Sequence, residues 1–206
     1  MFSVPTDDIF LRGRNDAIEL LKAWAGTSLA FAVAQAGGNI LSGNFWLLLL
    51  PIAAATCGIG FLLHELAHRV VARNYGAQAH FIANNGWLLI SIVLAFTGFF
   101  IAAPGAVWHR GYLTKMQGGL IALAGPVTNL VLALLFLALA LLAPVGWLGL
   151  VGAVGFRINA WLGLFNMIPF GPFDGAKVLD WDWRVFAVTV AAGLFLVFVL
   201  PQAIRI

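Results

Sequence analysis

Two histidines and a glutamate, His64, Glu65 and His68, are the side chains whose types and spacing could do chemistry. They form the run His-Glu-Leu-Ala-His inside an apolar segment with helical periodicity. One helical turn separates the histidines, so both imidazoles leave the same face and can close on one metal ion. Two neutral imidazoles plus a carboxylate suit zinc, with a fourth position left for water. Glu65 follows the first ligand and can reach that water as a general base. The alternative is a chance match on a helix with two buried histidines. The setting weighs against chance, because the run sits in a stretch otherwise fit for lipid, where charge is expensive and marks function.

The elements that must position these groups are membrane helices. The chain has 206 residues, 62% hydrophobic and 9% charged, with a mean hydropathy of +0.99. That composition is that of an integral membrane protein. The net charge of +3 comes from a small excess of Lys and Arg, which bears on topology and not on nucleic acid. The single Cys57 excludes an intrachain disulfide and a cysteine-based zinc site; it reads as a packing residue. Residues 1–16 are polar and lack the basic start and cleavage site of a signal peptide, so the first hydrophobic segment is expected to be a retained anchor.

The expected fold is an all-α polytopic membrane protein with about five or six transmembrane helices and a small membrane-associated β-sheet. It is expected to be a single domain over residues 1–206, with a core at about 45–180 and no separate soluble domain. Hydropathy places spans at Ala17–Ala36, Phe45–Arg73, Met116–Ala143, Val145–Ile168 and Arg184–Leu200. Pro51 and the Gly58–Gly60 pair predict a kink or a close helix contact before the histidines. His64 lies nine residues before Arg73, which puts it roughly 13 Å below the end of its span at helical rise. Ala77–Ala83 alternates loosely and reads as a strand. Trp87–Ala103 is apolar enough to span, yet the Pro104-Gly105 turn after it favours extended chain.

A third protein ligand must come from elsewhere. No glutamate follows Glu65, so the candidates are His80, His109, Asp174, Asp180 and Asp182. Asp174 stands out by its setting, Asn166-Met-Ile-Pro169-Phe-Gly171-Pro172-Phe-Asp174-Gly175. The prolines stop the helix and stiffen the chain, and Gly175 permits a sharp turn. A carboxylate so fixed can be held against a metal, or it can cap a following helix; spacing leaves both open.

His-Glu-x-x-His on a membrane helix, Gly125-Pro126-Val-Thr-Asn129 in a middle span and the Asn166–Gly175 stretch, in that order, resemble the site-2 protease family of intramembrane zinc metalloproteases. The resemblance covers about Gly58 to Lys177. It implies His64, His68 and Asp174 as ligands of one zinc ion per chain and Glu65 as the catalytic base. It places Asn129 and Asn166 at positions that bind substrate or support the site. It further implies regulated intramembrane proteolysis, cleavage in or near transmembrane helices of membrane-protein substrates, and a membrane-embedded sheet whose edge strand binds them. Trp87–Ala103 is more apolar than the family pattern there.

Charge tests the topology. If Trp87–Ala103 crossed the bilayer, Asp174 would emerge on the face opposite the end of the His68 helix. If it re-enters and returns, Arg69, Arg73, Arg110, Lys115, Lys177 and Arg184 share one face with Arg12, Arg14 and Lys22, and the other keeps Arg205. The excess of positive charge favours this second layout and makes that face cytoplasmic. A sheet built from Ala77–Ala83 and Phe99–Trp108 would satisfy the re-entrant backbone. The expected protein is therefore a multi-pass enzyme of the cell membrane with its site nearer the cytoplasmic face. Its expected partners are lipid and membrane-protein substrates, with no nucleic acid. The rival readings are a catalytically inactive membrane binding protein of the same fold and a metal transporter. Arg157, inside the fifth hydrophobic segment, has no evident role.

Overall fold

The structure is a computed structural model that describes residues 15–37, 39–101 and 105–204. Arg12, Arg14, Arg205 and Pro104 lie outside the described residues, as does the side chain of His109. Helix α1 spans Asp16–Gln35, α2 Phe45–Asn74, α4 Lys115–Leu142, α5 Gly146–Phe165 and α7 Trp183–Ile204. Among the described residues these five are long and apolar enough to cross a membrane. The chain is a multi-pass membrane protein. Between the long helices lie strand β1 (Gln78–Ala83), the short helix α3 (Asn85–Ala95), strand β2 (Gly105–Arg110) and helix α6 (Asp174–Trp181).

Helix α2 carries the expected irregularity as two π-helical turns, at Phe45–Leu49 and Ala54–Gly58, on either side of Pro51. A widened turn absorbs the mismatch that a proline introduces into the ladder. Cys57 is fully buried in a cluster with Ala30, Val33, Phe45 and Ile158, in agreement with a packing role.

The apolar stretch after Asn85 does not span. Helix α3 has 11 residues, about half of what a crossing needs. Strands β1 and β2 are antiparallel, with Gln78 opposite Arg110 and Ala83 opposite Gly105. The chain between them therefore returns to the place it left. The second strand differs from expectation. It occupies Gly105–Arg110 and not Phe99–Trp108, and Phe99–Ile101 form no strand. Phe100 instead packs its ring edge-on against Phe31 of α1, 5.2 Å between centroids. Burying that aromatic against a span outweighs extending the sheet.

Helix α1 covers the outer edge of β1. Glu19 Oε2 accepts the Ala83 N–H at 3.2 Å and also pairs with Lys22. Arg73 donates to the Ala79 carbonyl at 2.8 Å. Asp16 meets Arg69 at 2.6 Å and His80 at 2.9 Å, tying α1, α2 and β1 together at one end of the bundle. The main-chain groups of Ala79 and Ala83 thus point away from β2. In an antiparallel pair their opposite residues, His109 and Gly105, must then point away from β1, and so must Val107 between them. The outer edge of β2 is where the sheet can accept another strand.

Candidate active site

Two helix faces with the same four-residue step build the site. Helix α2 presents Thr56, Gly60, His64 and His68, and the antiparallel α4 presents Ile121, Gly125 and Asn129. His68 Nδ1 lies 2.7 Å from the Ile121 carbonyl, and His64 Nδ1 lies 2.6 Å from Asn129 Oδ1. Both partners are acceptors, so each Nδ1 carries the proton and each Nε2 carries a lone pair.

The two Nε2 atoms face each other at 3.0 Å. Asp174 Oδ2 completes the triangle, 3.3 Å from His64 Nε2 and 3.1 Å from His68 Nε2. Two lone pairs and a carboxylate converging in a buried spot make a donor set that can hold a cation. Ligands at about 2.05 Å from a tetrahedral ion sit about 3.3 Å apart, close to the separations found. Gly125 leaves the room: a Cβ there would lie 2.5 Å from both Nε2 atoms. The donor set, its spacing and this space fit zinc. Among the described residues this is the one group of three or more potential ligands close enough to hold a metal.

Asp174 is the first residue of α6 and not its cap. Its side chain turns to the histidines and does not cap the helix. Gly175 acts differently from expectation. It does not make a sharp turn; a Cβ there would meet the Met167 carbonyl at 2.3 Å, so glycine allows α6 to dock on the end of α5. The turn itself falls at Gly171, with φ of +69°. The Gly175 N–H donates to the Asn166 carbonyl at 2.8 Å, and Asn166 Nδ2 donates to the Leu162 carbonyl at 2.9 Å. Asn166 therefore braces the chain that carries Asp174.

Of the remaining candidates, His80, Asp180 and Asp182 have other partners, and the side chain of His109 is outside the described residues. His80 pairs with Asp16, Asp180 with Lys115 at 3.0 Å, and Asp182 accepts the Arg184 N–H at the start of α7. Arg157 is exposed on α5. Sequence reasoning missed Asn159, fully buried on α5 and hydrogen-bonded to Asn129 at 3.0 Å. Its only signal was an amide in an apolar helix.

Glu65 is buried and lines, with the two histidines, Asn129, Asp174 and β2, a cavity of about 510 Å³. Its carboxylate faces the Val107 backbone N–H, which agrees with the outward direction derived for that residue. The outer edge of β2 thus borders the same space as the three potential ligands.

Comparison with known proteins bears on this arrangement. The chain is 45% identical over 148 residues to a protein of Methanocaldococcus jannaschii named "Putative zinc metalloprotease MJ0611", covering 70% of this chain and 78% of that one. The chain belongs to the site-2 protease family of zinc metalloproteases. A family relative in Bacillus subtilis, YwhC, is 30% identical over 153 residues, covering 64% of this chain and 69% of its own. Rip3 of Mycobacterium tuberculosis is 36% identical over 138 residues, 65% of this chain but 31% of that longer relative. Both carry the same zinc metalloprotease designation. No family model matches the chain, and no solved structure matches it. Zinc is the metal that the family and the donor set agree on.

Proposed function

We propose that the chain hydrolyses peptide bonds in or near the transmembrane helices of membrane-protein substrates, from within the bilayer. The observation that carries this reading is that the three potential ligands, Glu65 and the free edge of β2 line one cavity inside the helix bundle. His64, His68 and Asp174 hold the metal. Zinc, when bound, supplies a Lewis acid that polarises the scissile carbonyl and makes water acidic enough to attack near neutral pH. Glu65 takes the proton of the attacking water and delivers it to the leaving amine. Asn129 orients His64, and Asn166 supports the segment bearing Asp174.

A transmembrane helix hides its amides in its own hydrogen bonds. The substrate must therefore unwind before attack. The main-chain groups of Gly105, Val107 and His109 receive it as an added strand, which holds it extended with little dependence on its side chains. The basic residues at the ends of α2, β2 and the start of α4 make that end cytoplasmic.

Purified wild type and Glu65→Gln, each loaded with zinc and mixed with a transmembrane substrate, test the reading. Both should bind one zinc per chain, and the variant should cleave slower by about 10²-fold or more. Equal cleavage by both would refute the role of Glu65. Zinc flux across vesicles without cleavage by wild type would favour transport instead.

A further inference from the structure

The reading above requires His64 to keep its proton on Nδ1, and hydrogen-bond geometry around Asn129 shows what enforces this. An asparagine amide has two nearly isosteric ends, one accepting and one donating. If Asn129 rotated by half a turn, its Nδ2 would face His64 Nδ1. The proton of the imidazole would then move to Nε2, the atom that must bear the lone pair. The orientation of one amide thus decides whether His64 can ligate at all.

Two acceptors hold that amide. Asn129 Nδ2 donates to the Gly60 carbonyl at 3.2 Å and to Asn159 Oδ1 at 3.0 Å. Rotation would set its oxygen against both. Asn159 could relieve this only by rotating as well. Its own Nδ2 is engaged by the Gly155 carbonyl at 2.9 Å and, more loosely, by the Thr56 carbonyl at 3.5 Å. Backbone carbonyls cannot donate, so the direction of the chain of bonds is set at its far end. Both amides are fully buried, which removes water as a substitute partner. The approach depends on Gly60, where a Cβ would lie 2.1 Å from Asn159 Oδ1.

We infer that Asn159 is a positioning residue for the metal site: through Asn129 it locks His64 in the tautomer whose Nε2 is free to bind zinc. Asn159 touches neither the metal ligands nor the cavity that Glu65 lines; it acts by fixing which end of Asn129 faces the imidazole. This inference rests on His64 being a zinc ligand.

The test measures zinc affinity by chelator competition and the His64 tautomer by ¹⁵N imidazole shifts in detergent-purified, full-length protein. Asn159→Leu removes the acceptor while keeping the branching and the number of heavy atoms. Its zinc affinity should fall by about tenfold or more, the size seen when groups behind a ligand are removed, and the zinc-free His64 should show mixed tautomers. Asn159→Asp, neutral when buried, keeps an acceptor toward Asn129 and a donor toward Gly155, and should restore affinity to within about threefold of wild type. In an Asn129→Ala background there is no amide to orient, so Asn159 has nothing through which to act on His64. There Asn159→Leu should change affinity by less than about threefold.

Equal losses in both backgrounds would reduce Asn159 to packing and overturn the inference. So would a single Nδ1–H tautomer with wild-type affinity in Asn159→Leu. If Asn159→Leu does not fold, failure of Asn159→Asp to hold the single tautomer overturns the inference, and success supports it. Absence of zinc binding in wild type would refute the metal site itself, a separate outcome.

Discussion

Replacing Gly125 by alanine is a one-carbon change that should weaken the metal site. The added Cβ would lie 2.5 Å from His64 Nε2 and from His68 Nε2. Ordinary contact begins near 3.4 Å, so α2 and α4 must part by about 0.9 Å there or both imidazoles must tilt. Zinc–ligand distances tolerate only about 0.2 Å. Overpacking of this kind costs roughly 1 to 3 kcal/mol, and about 1.4 kcal/mol is tenfold in affinity. Zinc affinity of Gly125→Ala should therefore fall by about 5- to 140-fold. Gly118→Ala on the same helix is the control, since a Cβ there meets nothing within 4 Å. It should leave zinc affinity unchanged and add helix stability of about 1 kcal/mol or less. Chelator competition on detergent-purified protein reads both. Affinity of Gly125→Ala within twofold of wild type would refute the claim that this glycine keeps space for the ion.

Three other outcomes follow from the fold and the proposed chemistry. Single cysteines at Gly76 and Arg110 in a Cys57→Ala background should label from the same membrane face, because β1 and β2 pair antiparallel; labelling from opposite faces would overturn the re-entrant path. Val107→Pro removes an outward N–H of β2 that Glu65 also faces, and should impair cleavage with zinc still bound; undiminished turnover would argue against strand addition there. Substrates with Gly or Pro near the scissile bond should be cut faster than Leu-strengthened ones. Each such residue weakens the helix by roughly 1 to 3 kcal/mol, worth about fivefold or more in rate where unwinding limits it; equal rates would remove unwinding from the mechanism.

The parts of the site that were legible in the sequence are those fixed by local spacing. His64, Glu65 and His68 share a helix face whatever the rest of the chain does. Asp174 was legible only through its setting, since Asp180 and Asp182 are equally acidic and close by in sequence. Their fates, an ion pair with Lys115 and a helix cap, are settled by packing. The re-entrant path followed from one-sided basic charge, but the limits of β2 did not, because Phe99–Ile101 are as apolar and extended-prone as the strand itself. Phe100 found a better partner in Phe31. Asn159 was invisible because its partners lie 30 residues back at Asn129 and 103 back at Thr56. The junction of Asp16 with Arg69 and His80 is of the same kind. Contacts that join distant segments through single polar atoms carry no periodicity to read.

The central claim is that His64, His68 and Asp174 bind zinc, and X-ray absorption at the zinc edge of the purified protein tests it most directly. The expected spectrum has nitrogen and oxygen neighbours at about 2.0 to 2.1 Å and the outer-shell pattern of two imidazoles. In His68→Ala, one imidazole or the zinc itself should disappear. A sulfur neighbour near 2.3 Å, or an unchanged spectrum at full zinc occupancy in both His68→Ala and Asp174→Ala, would contradict it.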